Sequence, residues 1–154
     1  MFRSKFLSLR SFSLGHNSSS ASVKATMLQA SLIDNIPNHY IFWKDKNSIY
    51  LGCNEAFAKL IGLNSSAEVI GKTDSELAMT AEQTRIFRAE DQLVIEAGKP
   101  QFNIEKNHLL AGVNKNLSIT KIPLSDEGGK VYGVLTIGTD ITEKKALESS
   151  LAKA

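Results

Sequence analysis

Apolar residues recur near helical spacing from Ser22 to Ile36, with Met27, Leu28, Leu32 and Ile36 in step and Ser31 the polar exception, and Pro37 stops the pattern. A lead-in helix is expected there. Two β-rich runs follow, YIFW and SIYLG, on either side of Lys44-Asp45-Lys46-Asn47, whose composition predicts a hairpin turn. Helix punctuation then fills the middle of the chain. Asn54 can cap EAFAKLI, which stops at Gly62; Ser65 with Glu68 and Thr73 with Glu76 both have capping-box spacing. Thr80 with Gln83 opens a longer helix, whose Ile86, Ala89, Leu93, Val94 and Ala97 share a face and which Gly98 and Pro100 end. Past Pro100 the period changes to that of strands: QFNIEKNHLL, NLSITKIPL and VYGVLTIGTD, the last two joined by SDEGGK, where Gly128 and Gly129 can take positive φ.

The order is helix, two strands, four helices, three strands, helix. Hairpins on either side of a helical crossover predict an α+β fold, a five-stranded antiparallel sheet with short helices on one face. The last strand presents Tyr132, Val134, Thr136 and Gly138 on one side and Val131, Gly133, Leu135 and Ile137 on the other. Large apolar residues occur on both, so something is expected to cover the second face as well. The lead-in helix is the first candidate and a partner subunit the second.

Composition narrows the class. The chain has 154 residues, 42% hydrophobic and 22% charged, which suits one globular domain with a core of its own. The net charge of +2 is unevenly placed. No acidic residue precedes Asp34, while Arg3, Lys5, Arg10 and Lys24 put +4 in the opening stretch and leave −2 for the remainder. A mildly acidic domain argues against a nucleic-acid face. No apolar run reaches the roughly 18 residues needed to span a bilayer. A single cysteine, Cys53, excludes an internal disulfide and a cysteine-built zinc site and fits a reducing, cytoplasmic compartment. The Ser-rich, basic start has the composition of a mitochondrial presequence, which would make the location organellar; the plainer reading is a disordered tail. Residues 1–22 are assigned to that tail, 23–36 to the lead-in helix, 37–140 to the core and 141–154 to a C-terminal helix.

Three phrases, IFWKDKNSIYLGCNEAFAKLIGL, VIGKTDSEL and GVLTIGTDITEKK, in this order and spacing, resemble a PAS domain with its PAC-type C-terminal half. They look most like the PAS modules of bacterial hybrid sensor histidine kinases, and the resemblance runs from about Leu32 to Lys145. It implies a non-catalytic sensory or dimerisation module, part of a two-component system, with a pocket between the inner sheet face and the helices. It also implies that Asp140, Ile141 and Thr142 couple the core to an output helix. The residues agree: Asp140 can cap that helix, with Glu143 completing a capping box, and Ile141 can pin the junction. Leu147 and Leu151, spaced i, i+4, are placed as at the start of a coiled coil.

Candidate chemistry follows from the same residues. Haem-binding relatives resemble one another in a histidine on the long helix, and none lies between Thr80 and Ala97; His108 falls on a strand. Light-oxygen-voltage flavin domains carry an Asn-Cys-Arg phrase, whereas Cys53 precedes Asn54 in GCNEAF and reads as a buried small hydrophobe. Haem and covalent flavin are therefore not expected, the cofactor is undetermined, and no metal or catalytic residue is assigned. Glu82, Glu90, Asp91 and Glu96 read as a solvated helix face. Phe42, Trp43, Tyr50, Phe57, Phe87 and Tyr132 can line a small-molecule pocket or fill the core, with Asn103, Ser118 and Thr136 as polar groups. By resemblance, Thr136 and Gly138 point into the pocket. The expected function is a sensory module that dimerises through its flanking helices and relays a ligand or partner signal to a downstream effector. The alternative is a stand-alone interaction module with a filled core.

Overall fold

The computed structural model describes residues 16–110 and 112–153. The expectations for residues 1–15 of the basic tail lie outside them. Helix α1 (His16–Asp34) leads into β1 (His39–Asp45) and β2 (Tyr50–Cys53); α2 (Glu55–Leu60), two 3₁₀ turns (Ser66–Val69 and Asp74–Glu76) and α3 (Ala81–Ala97) make the crossover. Strands β3 (Gln101–Leu110), β4 (Val113–Ser125) and β5 (Val131–Asp140) complete the sheet, and α4 (Thr142–Lys153) follows. The sheet order is β2-β1-β5-β4-β3, and every neighbouring pair is antiparallel. The last strand therefore sits at the centre, between the first and the fourth.

Two of the four expected crossover helices are 3₁₀ turns of four and three residues. Segments this short cannot build an α-helical hydrogen-bond ladder. Thr73 and Glu76 form the expected capping box, as do Thr80 and Gln83. Ser65 does not: it makes no side-chain cap bond, and Glu68 instead accepts from the Asn64 amide at 3.3 Å. Gly98 closes α3 in the left-handed conformation, φ 61°.

The core lies between the inner face of the sheet and the crossover. Phe57 stacks on Phe42 with ring centroids 4.3 Å apart, and Tyr50, Cys53, Ala58, Ile61 and Val69 bury themselves around it. Asn54 ties this core to its surroundings. Its Oδ1 accepts from the amides of Ile41 and Phe57 at 3.1 and 3.0 Å, and its Nδ2 donates to the carbonyls of Ile33 and His39, both at 3.0 Å. One side chain thus caps α2, bonds β1 and holds the last turn of α1.

Helix α1 starts at His16, so residues 16–22, assigned to the tail from composition, belong to the helix. It holds the domain at its C-terminal end, where Asp34 Oδ1 also accepts from the Glu55 amide at 2.8 Å. Its apolar stripe does not press on the sheet: Val23, Met27, Leu28 and Leu32 are between 57% and 67% exposed. The expectation that this helix covers the second sheet face is corrected accordingly. Leu135 and Ile137 are half-buried, and Leu135 stands between its cross-strand partners Trp43 and Ile122.

Candidate functional site

Alternation along β1, β4 and β5 sends Phe42 and Lys44, Leu117, Ile119 and Lys121, and Thr136 to the inner face. Together with Tyr50, Phe57, Met79, Phe87 and His108 they line a cavity of about 50 Å³ under α3. The polar side of the cavity rests on four buried charges. Lys44 Nζ lies 3.0 Å from Asp74 Oδ2 and 3.3 Å from Asp91 Oδ2; Lys121 Nζ lies 2.6 Å from Asp91 Oδ1. Tyr50 donates its hydroxyl to Asp74 Oδ1 at 2.6 Å, and Lys121 donates to Thr136 Oγ1 at 3.1 Å. Two cations and two carboxylates, each carboxylate shared between two donors, balance in charge and join β1, β2, the second 3₁₀ turn, α3, β4 and β5.

Burial dominates the proton affinities here. It pulls the Lys121 ammonium below the ordinary lysine range against the pull of Asp91, and Lys44 adds to the lowering. Burial, then the charge of Asp74, pushes the Tyr50 phenol well above its usual range. His108, edge-on to Phe87 at 5.2 Å, is lowered first by burial and then by Lys106 and Lys121, which favours the neutral imidazole. Lys106 pairs with Glu90 beside it. Cys53 is buried and its thiol is pushed up to about 12, chiefly by burial, which keeps it protonated at neutral pH.

Of the residues singled out from sequence, Phe42, Tyr50, Phe57, Phe87 and Thr136 meet at this cavity. Trp43 does not. It lies on the opposite sheet face, across Gly52, where a Cβ would come within 2.3 Å of its indole. Ser118, between Leu117 and Ile119, points the same outward way, and its hydroxyl reaches Asn103 Oδ1 at 3.5 Å on the exposed side. Asn103 itself takes φ 54° where the β3–β4 register is irregular. Gly138 faces inward, but the space above it is filled by Ile119 and Leu117, whose Cδ1 atoms would lie 3.4 and 3.8 Å from a Cβ there. Tyr132 sits near the open end of β5, half-buried.

Asp91 is corrected from a solvated position to a buried one and Glu90 to a half-buried one at the cavity, Lys44 is corrected from the hairpin turn to a buried place in β1, and Asp74 and Lys121 had been given no role. A sign was available. Asp91 follows Phe87 by four residues and precedes Val94 by three, so it shares the apolar face of α3. Lys44 and Lys121 each continue an inward row, after Tyr40 and Phe42 and after Leu117 and Ile119. A charge on an apolar row, matched by an opposite charge on another, marks a buried pair.

The junction after β5 is built as a latch. Asp140 Oδ1 accepts from the Thr142 amide at 3.0 Å, and its Oδ2 meets Lys115 Nζ at 2.9 Å. Burial raises the Asp140 carboxyl, but hydrogen bonds from Thr142 and Lys115 outweigh it and hold it below the usual range. Ile141 donates its amide to Asn116 O at 2.9 Å, and Asn116 returns a bond to Thr142 Oγ1 at 3.1 Å. Lys145, in the first turn of α4, pairs with Glu105 of β3 at 2.6 Å. The expected reciprocal bond from Glu143 is absent among the described residues; Asp140 serves the helix start through Thr142 instead.

A sequence profile described as PAS fold matches residues 33–146. The methanogenesis regulatory histidine kinase FilI of Methanothrix harundinacea is 32% identical over 113 residues, 73% of this chain and 12% of that protein. The virulence sensor protein BvgS of Bordetella pertussis is 29% identical over 80% of this chain and 10% of its own. The chain thus spans about a tenth of the length of these sensors. Among solved structures, VqmA bound to DPO superposes with a TM-score of 0.67 at 34% identity, over 79% of this chain and 60% of that one. The PAS domain of Bordetella pertussis BvgS gives 0.62 at 26%, over 88% and 99%.

Proposed function

This chain belongs to the PAS fold family, and from that premise we propose that it is a non-catalytic sensory module which reads a small molecule in the cavity under α3 and relays it through β5 to α4. The observation that carries the reading is the path from cavity to junction. Thr136 lines the cavity and bonds Lys121, and four residues further along the same central strand Asp140 anchors the latch. An occupant that draws on Lys121 or Thr136 acts on the strand that ends at the output helix. The likeness to VqmA, solved with DPO bound, supports a ligand in this kind of domain.

Dimerisation through the flanking helices is part of the proposal. The α1 stripe and, on α4, Leu147 and Leu151 at 59% and 76% exposure leave apolar surface that a second copy would cover. Among the described residues no helix is long and apolar enough to cross a membrane, and a reducing, cytoplasmic setting suits the buried, protonated Cys53. The downstream effector belongs to a longer signalling protein of the sensor-kinase kind. Vibrio cholerae VqmA is solved in a ligand–DNA complex, so a mildly acidic domain of this fold is compatible with DNA binding by a longer protein that carries it.

A second reading is an interaction module that senses nothing. The size of the cavity favours it: about 50 Å³ is a third of the roughly 150 Å³ that accommodates benzene in an engineered protein cavity. Native mass spectrometry of the protein, compared with its denatured mass, separates the two. Non-covalent mass that leaves on denaturation is expected from the sensor, and the charge-state series reports the dimer. A bare dimer supports the interaction module; a bare monomer removes the dimer claim.

A further inference from the structure

The inference concerns the chemical class of the occupant and rests on the reading of the cavity as a ligand site. Charge is the first restriction. Lys44, Lys121, Asp74 and Asp91 already balance, and Glu90 pairs with Lys106. A ligand bearing a full charge would enter a buried site with no counter-ion left for it, which is costly in a low dielectric.

Hydrogen bonding is the second restriction. An ammonium carries three protons. Among the described residues Lys121 Nζ has two partners, Asp91 Oδ1 and Thr136 Oγ1, although the side chain is more than nine-tenths buried. Its third proton has no acceptor among the described residues, and Lys121 lines the cavity. The Thr136 hydroxyl accepts from Lys121, so its own proton is available, and Thr136 lines the cavity too. The two residues sit on neighbouring strands, Lys121 directly across from Thr136. Of the other lining polar groups, Tyr50 donates to Asp74 and Glu90 holds Lys106, while Lys44 donates to Asp74 and Asp91 and also keeps a third proton, and the His108 ring packs edge-on to Phe87. Where Lys121 and Thr136 face each other across β4 and β5, the capacity left is donor capacity, from two groups side by side.

We propose that the cavity takes a compact, uncharged molecule bearing a carbonyl or similar strong acceptor, which receives hydrogen bonds from Lys121 Nζ and Thr136 Oγ1 while its apolar part packs against Phe42, Phe57 and Met79. The volume limits the occupant to something smaller than a benzene ring unless a wall moves, and Met79, unbranched and polarisable, is the wall best able to give. With no ligand, a water is the acceptor that the two donors require.

Two probes of nearly equal shape and smaller than benzene test this: acetone, and 2-methylpropene, in which C=CH₂ replaces C=O. Each is titrated into the uniformly ¹⁵N-labelled chain and followed by amide chemical shifts. The expected result is a saturable shift at Lys121 and Thr136 with the ketone, at least tenfold tighter than with the alkene. Lys121→Met and Thr136→Val, their folding checked by the dispersion of the same spectra, each reduce that difference. Equal affinity for both probes overturns the acceptor class and leaves the ligand site standing. Comparable binding of acetate, nearly the shape of acetone but charged, overturns the requirement for an uncharged occupant. Failure of every probe to shift Lys121, Thr136 or Met79 overturns this inference and the ligand-site reading together.

Discussion

Lys121 on β4 and Asp91 on α3 meet at 2.6 Å with both side chains more than nine-tenths buried, and Asp91 holds Lys44 of β1 with its other oxygen. One carboxylate therefore fastens the long helix to two strands on either side of β5. Buried charges of this kind are costly to strip of a partner, whatever their net worth when intact.

Asp91→Asn should therefore lose about 3–5 kcal/mol of stability, since it leaves Lys121 without an anion in the interior. Adding Lys121→Met should recover part of the loss by removing the orphaned cation, because Lys44 keeps Asp74. Equilibrium urea unfolding of the two variants measures both. An Asp91→Asn midpoint equal to that of the parent would show that water reaches the site and screens it.

Asn54 commits both lone pairs and both amide protons to four backbone groups. Asn54→Ala should cost about 2–4 kcal/mol at roughly 1 kcal/mol per lost bond. It should also loosen α1 selectively, because the Ile33 carbonyl loses its tie to the core. Hydrogen exchange accelerated in the last turn of α1 beyond that in β4 is the expected pattern. Uniform acceleration would mean that Asn54 supports the core without a special hold on the helix.

Asp140 gives a pH signature. Its folded pKa is depressed, so its contribution is present above the unfolded value of about 4 and lost as pH falls through the lower folded value. Lys115 is raised, mainly by the hydrogen bond it donates to Asp140, so its share is present below about 10.4 and lost as pH rises through its folded value. Asp140→Asn should thus lower the melting temperature between about pH 5 and pH 9, by the equivalent of about 1 kcal/mol or less for a partly exposed pair, with the gap closing at both ends. A gap that closes at low pH but persists at high pH would assign the effect to the Thr142 bonds rather than to Lys115.

Trp43 is the sole tryptophan, which makes its place on the outer face easy to test. Gly52→Ala drives a methyl into the indole, and something must shift. The expected outcome is a red-shifted emission, as the ring leaves Gly52 for water, and a loss of about 1–3 kcal/mol. Unchanged emission would place the adjustment in the β1–β2 backbone. The same fluorophore reports dimerisation if a second copy covers Leu135 and Ile122.

Much of the architecture was readable from the chain because it rests on local rules. The change of period after Pro100, the boxes at Thr73 and Thr80 and the cap at Asn54 depend on residues within a turn of one another. The same locality set the limits. Glu143 stands at capping-box spacing from Asp140, but only the tertiary position of Asn116 and Lys115 decided how the junction closes. Phe42 and Trp43 are equally aromatic neighbours, and strand alternation sent one to the cavity and the other to the opposite face.

By itself the sequence determined the element order, the antiparallel hairpins and the family, all carried by period, turn chemistry and phrase spacing. Only the tertiary structure decided that Lys44, Asp74, Asp91 and Lys121 form one buried network and that the α1 stripe stays open. These four charges lie up to 77 positions apart, from Lys44 to Lys121, on four different elements. No local pattern ties a charge to a partner that distant, because the cost of burying it is offset only once the sheet and α3 have brought the opposite charge within reach.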